Sequence, residues 1–463
     1  MGILDLHTFL LYLSKGATEH WAYDYVNKYI YSQSESGGYI TVIDYNALPG
    51  EVTEFSMNVG GSNVDIRDVV VCPEESLVFV TVTDQNKVLM YDAVKRANPK
   101  TPTLLAEIDA GNSPDAMKLS NDCEILAVAN QNEGRSILSQ GAITIVKNFR
   151  SQDGPEVIPV LLNGFTDEYL LGRKVNMPLT RGSMTYWNRE LELGWEETDG
   201  LIDQYNPAIA LDPEFLAFNY NGSLLFLNLQ DNSALVRIDT TTGEALAVDG
   251  YGLKKAPVDI VDDGECNLVN PDCLYLGRTP DGIASLEYEG TTYVFTADEG
   301  SGFDLDDYEE AYDSEDVFLA NGTMAFSGFV LSAEVQQCRQ HFSEDCEEDW
   351  CSNFEISVGS LAVNYDNTDA PVMDRVVGFG GRGISLFRIP DGVNEEIAFV
   401  WDSSSDFETR TCALFPWAHN AVMDEEFAPV GGPRWTLSDD DDREDIEARN
   451  DPNRDGCTLD DGT

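Results

Sequence analysis

The chain has 463 residues, with 83 Asp and Glu against 28 Lys and Arg, a net charge of −55 and a pI near 4.1. Such a surface repels phosphate backbones and anionic headgroups and attracts cations or basic partners, which argues against nucleic-acid binding. Hydrophobic residues at 42% and aromatics at 10% exclude a disordered acidic polymer.

The opening stretch MGILDLHTFLLYLSKG is apolar only from Phe9 to Leu13, contains Asp5 and lacks a basic n-region, so no signal peptide is evident. No later run approaches the roughly 18 apolar residues of a membrane span. From Tyr39 onward strand-like runs dominate: YITVIDY, LVFVTVT, KVLMYDA, ILAVAN, AITIV, SLLFLNL, ALVRID, TYVFTAD and GISLFRI. They are rich in Val, Ile, Tyr and Phe and are bounded by Asn, Asp and Gly, which predicts an all-β protein.

Four segments repeat one pattern: RDVVVCPEESLVFVTVTDQNKV, SPDAMKLSNDCEILAVANQNEG, DPEFLAFNYNGSLLFLNLQDNS and TPDGIASLEYEGTTYVFTADEG. Each runs acid, apolar strand, turn, second apolar strand, polar loop. The acids are Asp68, Asp115, Glu214 and Asp281, and 18 residues after each stand Asn86, Glu133, Asn232 and Glu299. The first two acids lie 47 residues apart, close to a propeller blade repeat; the later gaps of 99 and 67 imply insertions. Further strand signals after each polar loop complete four strands per repeat, the unit of a β-propeller. A pair of β-sandwiches is the rival, but it does not require that register four times. The predicted layout is a propeller over 19–437 with insertions near 150–206 and 301–356, then an acidic tail over 438–463.

Because the first strand of a blade lines the central channel and the second runs back, each acid and its downstream partner should share one mouth. Asp84, Asn130, Gln230 and Asp298 add oxygen donors there. Converging carboxylates and amides suit Ca2+. The plainer alternative is that each acid accepts backbone N–H bonds within its own blade. Near the end, Asp451, Asn453 and Asp455 alternate before Gly456, as a calcium loop opens, with Asp460 or Asp461 to close it. Gly462 stands where an EF-hand has Glu, so the loop is closer to the short aspartate-rich kind. The preceding LSDDDDREDIEARND reads as a solvated linker.

Nine cysteines point to an oxidising compartment. Cys266 and Cys273 lie near each other, and Cys338, Cys346 and Cys351 cluster. Disulfides are preferred there over a metal site of His341 and thiolates, because only Cys346 and Cys351 approach zinc-ligand spacing. The odd count leaves one thiol free or bonded outside the chain. Asn221 and Asn321 open glycosylation sequons, although Asn221-Gly222 equally reads as a hairpin turn. Four histidines and no hydrolase or nucleotide motif leave catalysis without candidates. The Gly378, Gly380, Gly383 string sits between strands with no following helix, so it is not a dinucleotide site. Arg67 and Arg382 are either anion contacts or, more plainly, salt-bridged structure.

EHWAYDYVNKYIYSQSESGGYITVIDY, the second and fourth repeats, VVGFGGRGISLFRI and FVWDSSSDFETRT together resemble the choice-of-anchor I family, in its order, from Glu19 to Thr411. That family includes mesenchyme-specific cell-surface glycoproteins of biomineralising animals and many bacterial secreted proteins. The resemblance implies a seven-bladed propeller, secreted or held at the cell surface. Some relatives carry the label atypical alkaline phosphatase and others accompany calcium mineral; no catalytic residues transfer. Members usually continue with another Pro-Glu blade motif, so the chain is expected to be incomplete at its C-terminal end. Three functions follow as expectations: a calcium-binding protein of adhesion, matrix or mineral interaction; a metal-dependent phosphoesterase; and a metal-independent protein scaffold.

Overall fold

The computed structural model describes residues 20–414 apart from 35–37, 48–53, 60–63, 98–101, 132–139, 152–153, 193–200, 261–265, 306–307, 319–328, 339–353 and 367–369. Four consecutive meanders come first. They are β1 (Trp21–Asp24), β2 (Tyr29–Ser34), β3 (Tyr39–Asp44) and β4 (Glu54–Asn58); then β5 (Val69–Cys72), β6 (Leu77–Val82), β7 (Lys87–Asp92) and β8 (Leu104–Asp109). The third holds β9 (Pro114–Leu119), β10 (Ile125–Asn130), β11 (Ala142–Lys147) and β12 (Glu156–Leu161); the fourth holds β13 (Pro213–Phe218), β14 (Leu224–Leu229), β15 (Ala234–Asp239) and β16 (Glu244–Gly250). Each is a four-stranded antiparallel sheet in sequence order.

The fifth sheet is interrupted. After the short β17 (Leu253–Lys254) and β18 (Leu274–Gly277), it begins with β19 (Ile283–Tyr288) and β20 (Thr291–Asp298). An excursion follows through β21 (Asp304–Leu305), β22 (Tyr308–Glu309), β23 (Ala311–Asp313), β24 (Val330–Leu331), β25 (Glu355–Ser357), β26 (Val363–Asn364), β27 (Val372–Met373) and β28 (Val376–Gly378). The sheet is then completed by β29 (Gly383–Arg388) and β30 (Ala398–Asp402), in the order β19-β20-β29-β30. A side sheet, β17-β18-β28-β25-β23, joins β17 and β18 to three strands of the excursion, while β21-β22 and β24-β27-β26 form two small sheets of their own.

Propeller-like packing follows from the neighbours of the first strands: β1 packs on β5, β5 on β9, β9 on β13 and β13 on β19. Alternation sends successive side chains to opposite faces, so a middle strand serves two cores. In β6, Val78 and Val80 face the first sheet while Phe79 faces the third. One apolar core thus lies between each pair of adjacent sheets. The hairpins are local consequences of sequence. At the β13–β14 turn Asn219 Oδ1 accepts from Leu224 N at 2.9 Å, Asn221 Oδ1 from Ser223 N at 3.0 Å, and Gly222 takes φ +73°. That is the hairpin reading of Asn221, which is exposed there; Asn321 lies outside the described residues.

The first insertion begins after β12 and carries α1 (Asp167–Gly172), capped by Thr166, and α2 (Arg181–Glu190), closed by a Thr180–Ser183 capping box. Tyr186 and Trp187 of α2 are buried against Tyr308, Tyr312, Phe329 and Tyr365 of the second excursion. The two insertions therefore share one aromatic core. Helix α3 (Ala333–Cys338) lies within that excursion, and α4 (Asp406–Leu414) packs beside β29.

The disulfides join distant parts of the chain. Cys72 at the end of β5 bonds Cys123 in the β9–β10 turn, tying the second sheet to the third, and Cys266 bonds Cys412 of α4 across 146 residues. Cys273 is disulfide-bonded as well. Neither Cys72–Cys123 nor the partner of Cys266 was anticipated from local clustering. Cys338 ends α3, while Cys346 and Cys351 lie outside the described residues.

Candidate functional site

The four repeated acids all open, or stand just before, the first strand of a sheet: Asp68 before β5, Asp115 in β9, Glu214 in β13 and Asp281 before β19. Because first and second strands are antiparallel, the loop after the second strand returns to the same end. Pro114 pairs with Asn130, Pro213 pairs with Leu229, and Asp281 N donates to Ala297 O at 3.1 Å. Adjacent sheets are also joined there. Asp68 Oδ2 accepts from Met117 N of the third sheet at 2.6 Å, and Gln131 Nε2 donates to Glu214 Oε1 of the fourth at 2.6 Å. Asn228 Nδ2 of the fourth sheet donates to Asp281 O beside the fifth at 3.0 Å. The acids of neighbouring sheets thus lie at corresponding ends.

Their environments differ. Asp68 is buried: Oδ1 accepts from Val69 N at 2.6 Å and lies 3.0 Å from His20 Nδ1. The His20 ring, leading into β1, also lies 5.3 Å from the Phe215 ring of β13, so one imidazole touches the second and fourth sheets. Asp115 and Asp281 are half-buried, Glu214 is buried, and Glu299 is exposed. Asn86 Oδ1 accepts from Ser113 N at 3.1 Å. Buried Asn232 accepts from Asp212 N and donates to Ala210 O and Asn176 O. Asn130 donates to Ala110 O and accepts from Thr144. These amides staple backbone, as do turn-capping side chains in general. Asp84 is exposed and Gln230 half-buried, while Glu133, Asp451, Asn453, Asp455, Asp460 and Asp461 lie outside the described residues.

Asp298 is internal. Thr296 Oγ1 donates to it at 2.7 Å, Ser385 Oγ donates to its other oxygen, and Arg278 Nε lies 4.0 Å away. Burial pushes its carboxyl up, against the opposing pull of those hydroxyls and of Arg278 and Lys254. Burial likewise pushes the Lys254 ammonium down; its Nζ donates to Gly381 O at 2.7 Å. Arg278 reaches Asp402 at 2.9 Å and the Tyr251 and Gly252 carbonyls. This network holds the Phe379–Arg382 turn on the Asp298-Glu299-Gly300 loop. Arg67 is salt-bridged to Asp65 and Arg382 to Glu408, the plainer of the two readings.

A second buried carboxyl was not foreseen. Glu310 Oε1 accepts from Asn176 Nδ2 at 2.7 Å and from Ser357 Oγ, while Oε2 faces Phe303 N at 3.5 Å. Burial pushes it up to about 7, those hydrogen bonds opposing and Asp231 adding to the rise. Nothing local in EEAYD marks it, because its partners come from both insertions.

For a metal, the donor set at the mouth is hard oxygen, which fits Ca2+ better than a thiolate-seeking ion. Among the described residues, the one set of three His, Cys, Asp or Glu ligand atoms within 4.8 Å of one another is Cys72, Glu74 and Cys123. Both thiols of that set are spent on a disulfide. Among the described residues, the mouth carboxylates are spread over adjacent sheets.

The choice-of-anchor I domain matches residues 19–443, and the chain belongs to that family. No protein of curated function matches it. Among solved structures, hydrazine synthase of Kuenenia stuttgartiensis aligns at 14% identity and TM-score 0.34, over 60% of this chain and 55% of that one. A nidogen/laminin complex chain aligns at 11% identity and TM-score 0.33, over 61% of this chain and 76% of that one.

Proposed function

We propose that this choice-of-anchor I protein is a secreted or surface-held binding module whose carboxylate-bearing mouth receives cations, Ca2+ first, or a basic partner. One observation carries this reading. Asp115, Glu214 and Asp281 stand at corresponding ends of three successive first strands, with Glu299 exposed on the loop beside them. The disulfides and the family fit a secreted or surface setting, and no helix among the described residues is long and apolar enough to cross a membrane. Carboxylates spaced over several sheets favour multipoint attraction of positive charge, by a hydrated Ca2+ or by Lys and Arg side chains. Adhesion and matrix or mineral interaction are the roles that such a surface serves. A seven-bladed ring is the architecture proposed for the whole domain.

Calorimetric titration with CaCl2 tests the reading. Saturable binding at millimolar Ca2+ or tighter is expected, weakened in a Glu214→Gln, Asp281→Asn variant. Absence of Ca2+ binding together with no retention of a poly-lysine probe would defeat it. Chelator-sensitive turnover of a chromogenic phosphate ester would replace it by the phosphoesterase reading.

A further inference from the structure

The two insertions meet beside the loop that follows β14, and a buried side chain from each makes the joint. From the first insertion, Asn176 N donates to Asn232 O at 2.8 Å, and Asn232 Nδ2 donates back to Asn176 O at 2.9 Å. Asn176 Nδ2 donates to Asp231 O at 3.0 Å and to Glu310 Oε1 of the excursion at 2.7 Å. The flanking segments run together. Met177 N donates to Ser360 Oγ at 2.7 Å and Ser360 N to Met177 O at 3.1 Å. Gly359 closes a further side of the carboxyl: a Cβ there would fall 2.3 Å from Glu310 Oε1 and 2.7 Å from Asn176 Oδ1. The groups facing Glu310 are Asp231 from the β14 loop, Tyr308 and Tyr365 from the excursion, and the neutral Asn176 and Ser357. Among the described residues no Lys or Arg pairs with it. A negative charge enclosed there has neither a counter-ion nor room for hydration, which makes it costly.

We infer that Glu310 is a pH-operated latch, which holds the two insertions closed on each other and on the 230–233 loop when protonated and releases them when ionised. Ionisation sets a second negative charge beside Asp231. Its relief is hydration, and water reaches the carboxylate only if segments 175–177 and 357–361 part. Parting also opens the aromatic core that the insertions share, where Trp187 meets Tyr308 and Tyr186 meets Tyr365. Asn232 accepts from Asp212 N at the start of the fourth sheet, so release loosens the cover over the end that bears Glu214. The latch requires no cation at that mouth.

Hydrogen exchange of the full chain between about pH 5 and about pH 8, corrected for the intrinsic pH dependence of amide exchange, tests this. Residues 181–190 and 355–363 are expected to exchange faster than β6 and β10 throughout. Their opening should rise roughly tenfold or more with pH and level off above about 7. In Glu310→Gln the rise should vanish. Ser357→Ala removes a hydrogen bond that favours the charged form, so the rise should persist and level off at higher pH. No rise in the parent, an undiminished rise in Glu310→Gln, or an unmoved levelling point in Ser357→Ala overturns the proposal. So does exchange of those segments only in step with β6 and β10, since the insertions then part only when the whole molecule unfolds.

Discussion

At the scale of single residues, the buried carboxyl of Glu310 governs the most specific expectation. Its folded state holds the proton up to about pH 7, against 4.5 for an ordinary glutamate. The stability linked to that proton is fully present below pH 4.5 and is lost as pH rises through about 7. By linkage the loss is on the order of 3 kcal/mol. In Glu310→Gln, which cannot ionise, urea unfolding should show that slope missing. The variant should match the parent near pH 4 and exceed it near pH 8 by about that amount. A constant difference between the two proteins across that range would contradict the assignment. Asp68 shows the same dependence on distant partners. That an acid would open β5 is legible from Arg67-Asp68-Val69, whereas its bond to Met117 N, 49 residues away, is not.

At the scale of elements, the turn between β28 and β29 is held by close approach of backbone to backbone. Gly380 has φ +74°, and a Cβ there would fall 1.7 Å from Glu299 O. Gly290, in the β19–β20 turn with φ +75°, has open space around it. Gly290→Ala should therefore cost about 1 kcal/mol, the conformational penalty alone. Gly380→Ala must also displace the Asp298-Glu299-Gly300 loop and should cost clearly more, in the range of the large single-site effects at roughly 3 kcal/mol or above. Thermal unfolding of the two variants side by side checks this; equal losses would mean that the two loops are not interlocked. The strand–turn–strand reading of VVGFGGRGISLFRI needed only period-two alternation and glycine punctuation. The interlock with a loop 80 residues earlier, Gly380 against Gly300, came from packing.

For the whole molecule, charge is the governing quantity. With −55 on one chain, self-repulsion opposes the compact state. Raising NaCl from about 0.01 M to about 1 M shortens the Debye length from about 30 to about 3 Å and should raise the melting temperature. A melting temperature that stays level or falls would show that the acids are already neutralised by internal partners. The fold is propeller-like because successive sheets pack face to face, β1 on β5 through to β13 on β19.

Sequence alone determined the all-β class, the repeated sheet unit, the strand openings at Asp68, Asp115, Glu214 and Asp281, and the family. Alternation, turn chemistry and repeat spacing are local properties, read within about twenty residues. Tertiary structure alone decided that Cys266 meets Cys412, that His20 touches both Asp68 and Phe215, and that Glu310 is enclosed by two insertions. It also decided which oxygens at the mouth are taken by backbone N–H groups. Those outcomes depend on which sheet lies beside which, and burial and pairing are set by neighbours that chain order does not name.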